Sequence, residues 1–143
     1  MRIIGFSFKK IQAERKKDIK GQLKINSNLN IENIEKDKID IAGEILKFSY
    51  IYEIKYEPGF GEILFKGEIL VIPDNIQQTI KDWKKKKISE ETRLPLFNYI
   101  MSKCNLKALQ LEEDSNLPAH IPLPRLTKQQ NQQGQSGQAD YTG

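Results

Sequence analysis

The chain has 143 residues, 38% of them apolar and 29% charged, with a formal net charge of +4. That length supports one domain with a core. The single cysteine excludes an internal disulfide, and no stretch approaches the roughly 20 apolar residues that span a bilayer.

The N-terminal run Met1–Phe8 is too short and mixed for a signal peptide, so the sequence predicts a soluble, cytoplasmic protein. Alternation at Ile4, Phe6 and Phe8 predicts a first strand near 3–13. The shift to Ile11 predicts a bulge near Lys9-Lys10. Leu23, Ile25, Leu29 and Ile31 hold odd positions and predict a second strand near 22–32. Asn33 to Gly43 is charged and reads as a loop that Ile39 and Ile41 can dock.

Residues 46–72 carry the clearest pattern. Leu46, Phe48, Tyr50, Tyr52, Ile54 and Tyr56 occupy every even position. Pro58-Gly59-Phe60-Gly61 breaks the run, and Ile63, Phe65, Gly67, Ile69 and Val71 share one face of the next. This is a long antiparallel hairpin, 45–57 and 62–72, with a tyrosine-rich face. Such a face must be covered by the protein's own helices, a sister subunit or a client chain. Glu53, Glu57, Glu62 and Glu68 lie on the wet face, where Lys55 and Lys66 can pair with them.

Asp74 and Gln77 resemble a capping box for a helix near 75–87, with Ile76, Ile80 and Trp83 on one face. Ser89, with Glu90 and Glu91 in the first turn, opens a second helix near 90–114. Its apolar residues Leu94, Phe97, Met101, Cys104, Ala108 and Leu111 fall at heptad-like spacing. Leu96, Ile100 and Leu109 widen that face, so a homo-oligomer is expected. Prolines 118, 122 and 124 make 117–126 an extended arm. Residues 127–143 are rich in Gln, Gly, Ser and Asn and are expected to be disordered. The expected organisation is a single α+β domain over 1–126, a four-stranded antiparallel sheet followed by two helices, with a tail at 127–143.

This order resembles the SecB-like fold of preprotein chaperones. Leu94-Pro95-Leu96-Phe97-Asn98-Tyr99, Met101-Ser102 and Leu117-Pro118 are similar to that family's Phe-Pro-Tyr-Ala-Arg and Ser stretch and its Pro-X-Leu-Asn-Leu-Ala-Pro segment. The arm Leu117–Arg125 looks most like small uncharacterised archaeal SecB-like proteins. The resemblance spans residues 2–126 in topology and about 30 residues in motif. It implies a holdase for unfolded chains that binds through aromatic and aliphatic grooves and assembles as dimers of dimers. The chain lacks the acidic sheet surface and the basic zinc-fold-binding tail of bacterial members.

The residues themselves point to binding rather than catalysis. With one histidine and one cysteine the usual zinc ligand sets are missing, and no cofactor is expected. Cys104 is read as buried structure and His120 as an arm residue bonded to backbone or water. Gly59-Phe60-Gly61 with Gly67 lacks the context of a phosphate loop. One helix covers a strip about 10 Å wide, whereas four strands span about 19 Å. Part of the apolar surface is therefore left for a partner. The candidate client residues are Phe48, Tyr50, Tyr52, Tyr56, Phe65, Phe97 and Met101. The alternative is a basic RNA- or ribosome-binding module. It would use Lys84, Lys85, Lys86 and Lys87, with Lys9, Lys10, Arg15, Lys16 and Lys17 as further phosphate contacts.

Overall fold

The structure, a computed structural model, describes residues 1–41, 43–124 and 126. The elements in chain order are β1 (Arg2–Arg15), β2 (Lys24–Ile39), β3 (Gly43–Glu57), β4 (Gly61–Ile72), α1 (Ile76–Lys84) and α2 (Glu90–Ser115). The strands form one antiparallel sheet in the order β1-β4-β3-β2. The α+β architecture read from the sequence is the one observed. The expected tail at 127–143 lies outside the described residues.

Register follows the period-two pattern. Tyr56, Tyr52 and Tyr50 face Gly61, Phe65 and Gly67 across β3 and β4, so the even face of one strand meets the odd face of the next. The bulge near Lys9 is present, as a register shift between Phe8 and Lys10.

The segment 33–39 corrects the expected loop. It continues β2, pairing Ile34 with Phe48 and Ile39 with Gly43. All four of its charged residues are exposed, Lys36 and Lys38 on the same face as Ile34 and Glu35 and Asp37 on the other with Ile39, so pairing with β3 rather than apolar alternation extends the strand. Ile41 does not dock: it is 98% exposed at the turn.

The cap of α1 is also corrected. Asn75, one residue later than expected, accepts the Gln78 backbone N–H at 3.0 Å. Asp74 instead pairs with the N-terminal ammonium of Met1 at 2.8 Å, which ties the start of β1 to the end of β4.

Both helices pack on one face of the sheet. The row of α2 that enters the core is Leu96, Ile100, Cys104, Ala108 and Glu112, spaced by four. The heptad-like stripe expected from the sequence is only partly buried, and Leu94 and Met101 are open to solvent. A helix lying on a twisted sheet buries an i+4 row rather than a coiled-coil seam. Beyond Ser115, Asn116 adopts the left-handed conformation and the Leu117 N–H closes on the Glu112 carbonyl at 2.9 Å. That Schellman-type ending turns the chain back so that Leu117 enters the core.

Candidate functional site

Three features of one region stand out: the aromatic row of β3, the outer row of α2 and the arm after it. Phe48, Tyr50, Tyr56 and Phe65 are fully buried and Tyr52 is 3% exposed. These five, expected as client surface, are thus core residues in the single chain. Each tyrosine keeps a polar partner for its buried hydroxyl. Tyr50 donates to the Ser7 carbonyl at 3.1 Å, Tyr52 to Asn105 Oδ1 at 2.9 Å and Tyr56 to the Glu112 carboxylate. Burial raises all three phenols above the usual tyrosine range, with the Glu112 hydrogen bond adding to the effect at Tyr56. Burial likewise pushes the Cys104 thiol up to about 12, which leaves it an inert core side chain.

Of the last two expected client residues, Met101 lies at the surface and Phe97 is half-buried, with Leu94 exposed next to them. Met101 is 38% exposed and Leu94 50%. Phe97 is half-buried, with the Arg93 guanidinium 5.8 Å from its ring centre. Leu94, Phe97 and Met101 follow one another at i, i+3 and i+7, a continuous apolar row. On the opposite flank of α2, Tyr99 meets Phe6 of β1. Asn105 meets Tyr52 of β3. The open row therefore turns toward the β3–β2 side of the sheet. There β2 offers Ile25, Leu29, Ile31 and Ile34 on its inner face, all half-buried, with Asn26, Asn28 and Asn30 outside.

The lower end of this region is closed by the arm. His120 was expected to bond to backbone or water; its ring instead sits between two side chains of α2. Nδ1 lies 2.9 Å from Glu112 Oε2, and Nε2 lies 2.8 Å from Asn105 Oδ1. The His120 backbone N–H adds a bond to Glu112 at 3.1 Å, and Tyr56 also reaches the Pro118 carbonyl at 2.9 Å. The side chains of His120 and Glu112 are 1% and 2% exposed. Sequence reasoning missed this cluster. Its signal was a lone carboxylate, Glu112, in the i+4 register of Leu96, Ile100, Cys104 and Ala108. The heptad-like spacing Leu94, Phe97, Met101, Cys104, Ala108 and Leu111 marks a different row of the helix.

The basic residues divide. Lys9 pairs with Glu68 at 3.5 Å, Lys16 with Glu62 at 3.3 Å and Arg15 with Asp18 at 3.0 Å, while Lys17 lies over the Phe60 ring. Glutamates on the wet face of the hairpin thus draw on β1 and Lys47 as well as Lys55. Lys84, Lys85, Lys86 and Lys87 are all exposed at the end of α1.

No protein-family model and no curated protein matches this sequence. A solved structure matches the fold. It is the Mycobacterium tuberculosis SecB-like chaperone Rv1957 in complex with a ChAD peptide from the Rv1956 HigA1 antitoxin. The match covers 89% of this chain and 91% of that one at 15% identity, with a TM-score of 0.51. The chain has the SecB-like fold. In this SecB-like frame the hairpin β3–β4 is the covered centre of the sheet and α2 the long helix laid across it. Among the described residues no group of three His, Cys, Asp or Glu gathers as metal ligands, and no helix is long and apolar enough to cross a membrane.

Proposed function

We propose that this chain is a SecB-like chaperone, a cytoplasmic holdase that binds an unfolded or partner polypeptide through apolar surface. The observation that carries this is the open row Leu94, Phe97 and Met101 of α2, in a chain whose edge strand β2 keeps a half-buried aliphatic row as well. An extended segment laid there would bury apolar surface on both sides and could use the free edge of β2 for backbone hydrogen bonds. The shared fold supports the reading, since the Rv1957 chaperone was solved with a peptide from a partner protein. Homo-oligomer formation belongs to the same proposal, because another copy can cover the same row. The sheet aromatics Phe48, Tyr50, Tyr52, Tyr56 and Phe65 then serve as the rigid support of that surface. They meet a client directly only where α2 or the arm yields.

The test is suppression of aggregation of an unrelated unfolded protein. Leu94→Ser with Met101→Ser removes the open row without touching the core. Full protection by that variant would refute the assignment.

A second reading rests on Lys84–Lys87. Their ammonium groups are exposed, and among the described residues none lies within 4.0 Å of a carboxylate, whereas Lys9 and Lys16 are paired. A basic RNA- or ribosome-binding module would use this cluster. Direct titration with a short RNA tests it.

A further inference from the structure

The arm covers one end of a row whose other end stays open. Phe97, Met101 and Asn105 follow one another at intervals of four and form one flank of α2. Asn105 is covered. The chain leaves α2 at Asn116, and by His120 it is back alongside the helix, its backbone N–H on Glu112 and its ring on Asn105. The arm therefore runs back along α2 toward Met101. Its root is fixed, with Leu117 in the core and the Pro118 carbonyl bonded to Tyr56. At His120 and Ile121 the chain bends, and Pro122, Leu123 and Pro124 beyond it are exposed. Leu123 is 57% exposed and Met101, the next residue of the row, 38%.

The reach fits. Met101 lies about 6 Å along the helix axis from Asn105 and about 16 Å from Glu112, the two residues that hold His120. An extended chain places Leu123 about 9 Å beyond His120. Pro122 and Pro124 keep the segment extended in advance, so little freedom is lost when it lies down. The contact would take apolar surface of Leu123 and Met101 out of water together.

We infer that Ile121–Pro124 is a strap for the open row: swinging about the bend at His120, it lays Leu123 on Met101 and covers the client surface from within the chain. The bonds of His120 to Glu112 and Asn105 stay made in both positions, so they act as the hinge. A client displaces the strap to reach the row. The contact itself does not depend on the holdase reading; only its role as a competitor rests on it.

The test is disulfide trapping in the full chain, since a bridge forms only between residues whose Cα atoms come within about 7 Å. Leu123→Cys is combined with Met101→Cys and, as a control, with Leu106→Cys, which is next to Asn105 but turned about 100° around the helix. All three positions are exposed, so the core is kept, and native Cys104 is buried with its thiol pushed up to about 12, so it does not compete. With oxidised glutathione and dilute protein, the pair with Met101→Cys is expected to bridge within single chains roughly tenfold faster than the control pair. Equal rates, or bridges formed only between chains, would overturn the strap. The bridged protein is expected to lose aggregation suppression and to regain it on reduction. Full protection while bridged would overturn the covering of the client surface. A reduced protein that protects nothing would sink the holdase reading and the competitor role with it, while the bridging rates still decide the contact.

Discussion

The ring of Tyr50 on β3 lies over Gly67 on β4, filling the space that the missing side chain leaves. The two residues are register partners. A Cβ on Gly67 would meet the backbone carbonyl of Ser7 and the Tyr50 ring at distances no side chain tolerates. The same gap lets the Tyr50 hydroxyl reach the Ser7 carbonyl and stack its ring on Phe6, so three strands are joined through one tyrosine. Gly67 is needed for space, not for backbone freedom.

Gly67→Ala is therefore expected to cost about 3 kcal/mol, the upper end of overpacking, because backbone rather than a mobile side chain stands in the way. Gly43→Ala serves as the contrast. It meets nothing within 4 Å and carries only the penalty of a positive φ, about 1 kcal/mol. Urea midpoints at unchanged slope would rank the two. Equal losses would refute the packing argument.

Glu112→Ala removes one partner of a buried pair and leaves the Tyr56 hydroxyl and the His120 ring facing a void. The expected loss is about 3–5 kcal/mol. Replacing both partners with leucine should recover much of it, since no polar group is then stranded. Thermal or urea unfolding of the single and double variants checks this. A double variant as unstable as Glu112→Ala would show that the pair is needed for its own attraction.

The even residues of β3, the odd residues of β4 and the order of strands and helices were all legible, because period two and period 3.6 write themselves into apolar spacing. The bulge after Phe8 was legible for the same reason. What escaped depended on three-dimensional crossing. Which row of α2 turns inward is fixed by the angle at which it meets the sheet, so Leu96 and Ile100 displaced Leu94 and Met101. The extension of β2 through Ile39 was hidden because its charged residues fall on both faces and leave no apolar alternation to read. His120 could not be placed from sequence, because its partners Asn105 and Glu112 meet it only after Asn116 reverses the chain.

Alkaline stability tests the buried hydroxyls and the thiol together. Tyr50, Tyr52 and Tyr56 are all raised by burial, and Cys104 moves from 9.0 to about 12. For groups raised in the folded state, the contribution is complete below the unfolded value. It is lost as pH climbs toward the folded value. Stability should hold to about pH 9 and then decline, with the tyrosinate absorbance of the three core tyrosines rising only as strand signal disappears. Ionisation of all three at unchanged strand content would contradict their placement. By the same logic, a thiol reagent at neutral pH should modify the unfolded chain and spare the folded one.

The proposed homo-oligomer would form on the open row of α2. A second copy covering Leu94, Phe97 and Met101 would contribute roughly 25 cal/mol for each Å² of apolar surface buried. Light scattering at high micromolar concentration is expected to give a multiple of the 16.6 kDa chain. Met101→Glu should shift the population toward monomer while leaving the melting of dilute protein unchanged. A clean monomer for the wild type would count against this use of the row.

Salt separates the two functional readings. A holdase binds by burying apolar surface, so aggregation suppression should persist as ionic strength rises. A phosphate binder should lose affinity with a log–log slope near about −0.9 per contact on duplex DNA and a shallower one on single strands. The basic cluster is on α1, whereas the apolar row is on α2. Changing Lys84, Lys85, Lys86 and Lys87 to glutamine leaves Leu94 and Met101 untouched. That variant is expected to protect an unfolded client as well as the wild type does, in low and high salt alike. Loss of protection together with loss of charge would transfer the function to the lysines. Retained protection with abolished RNA binding would show two separate surfaces on one small sheet-and-helix frame.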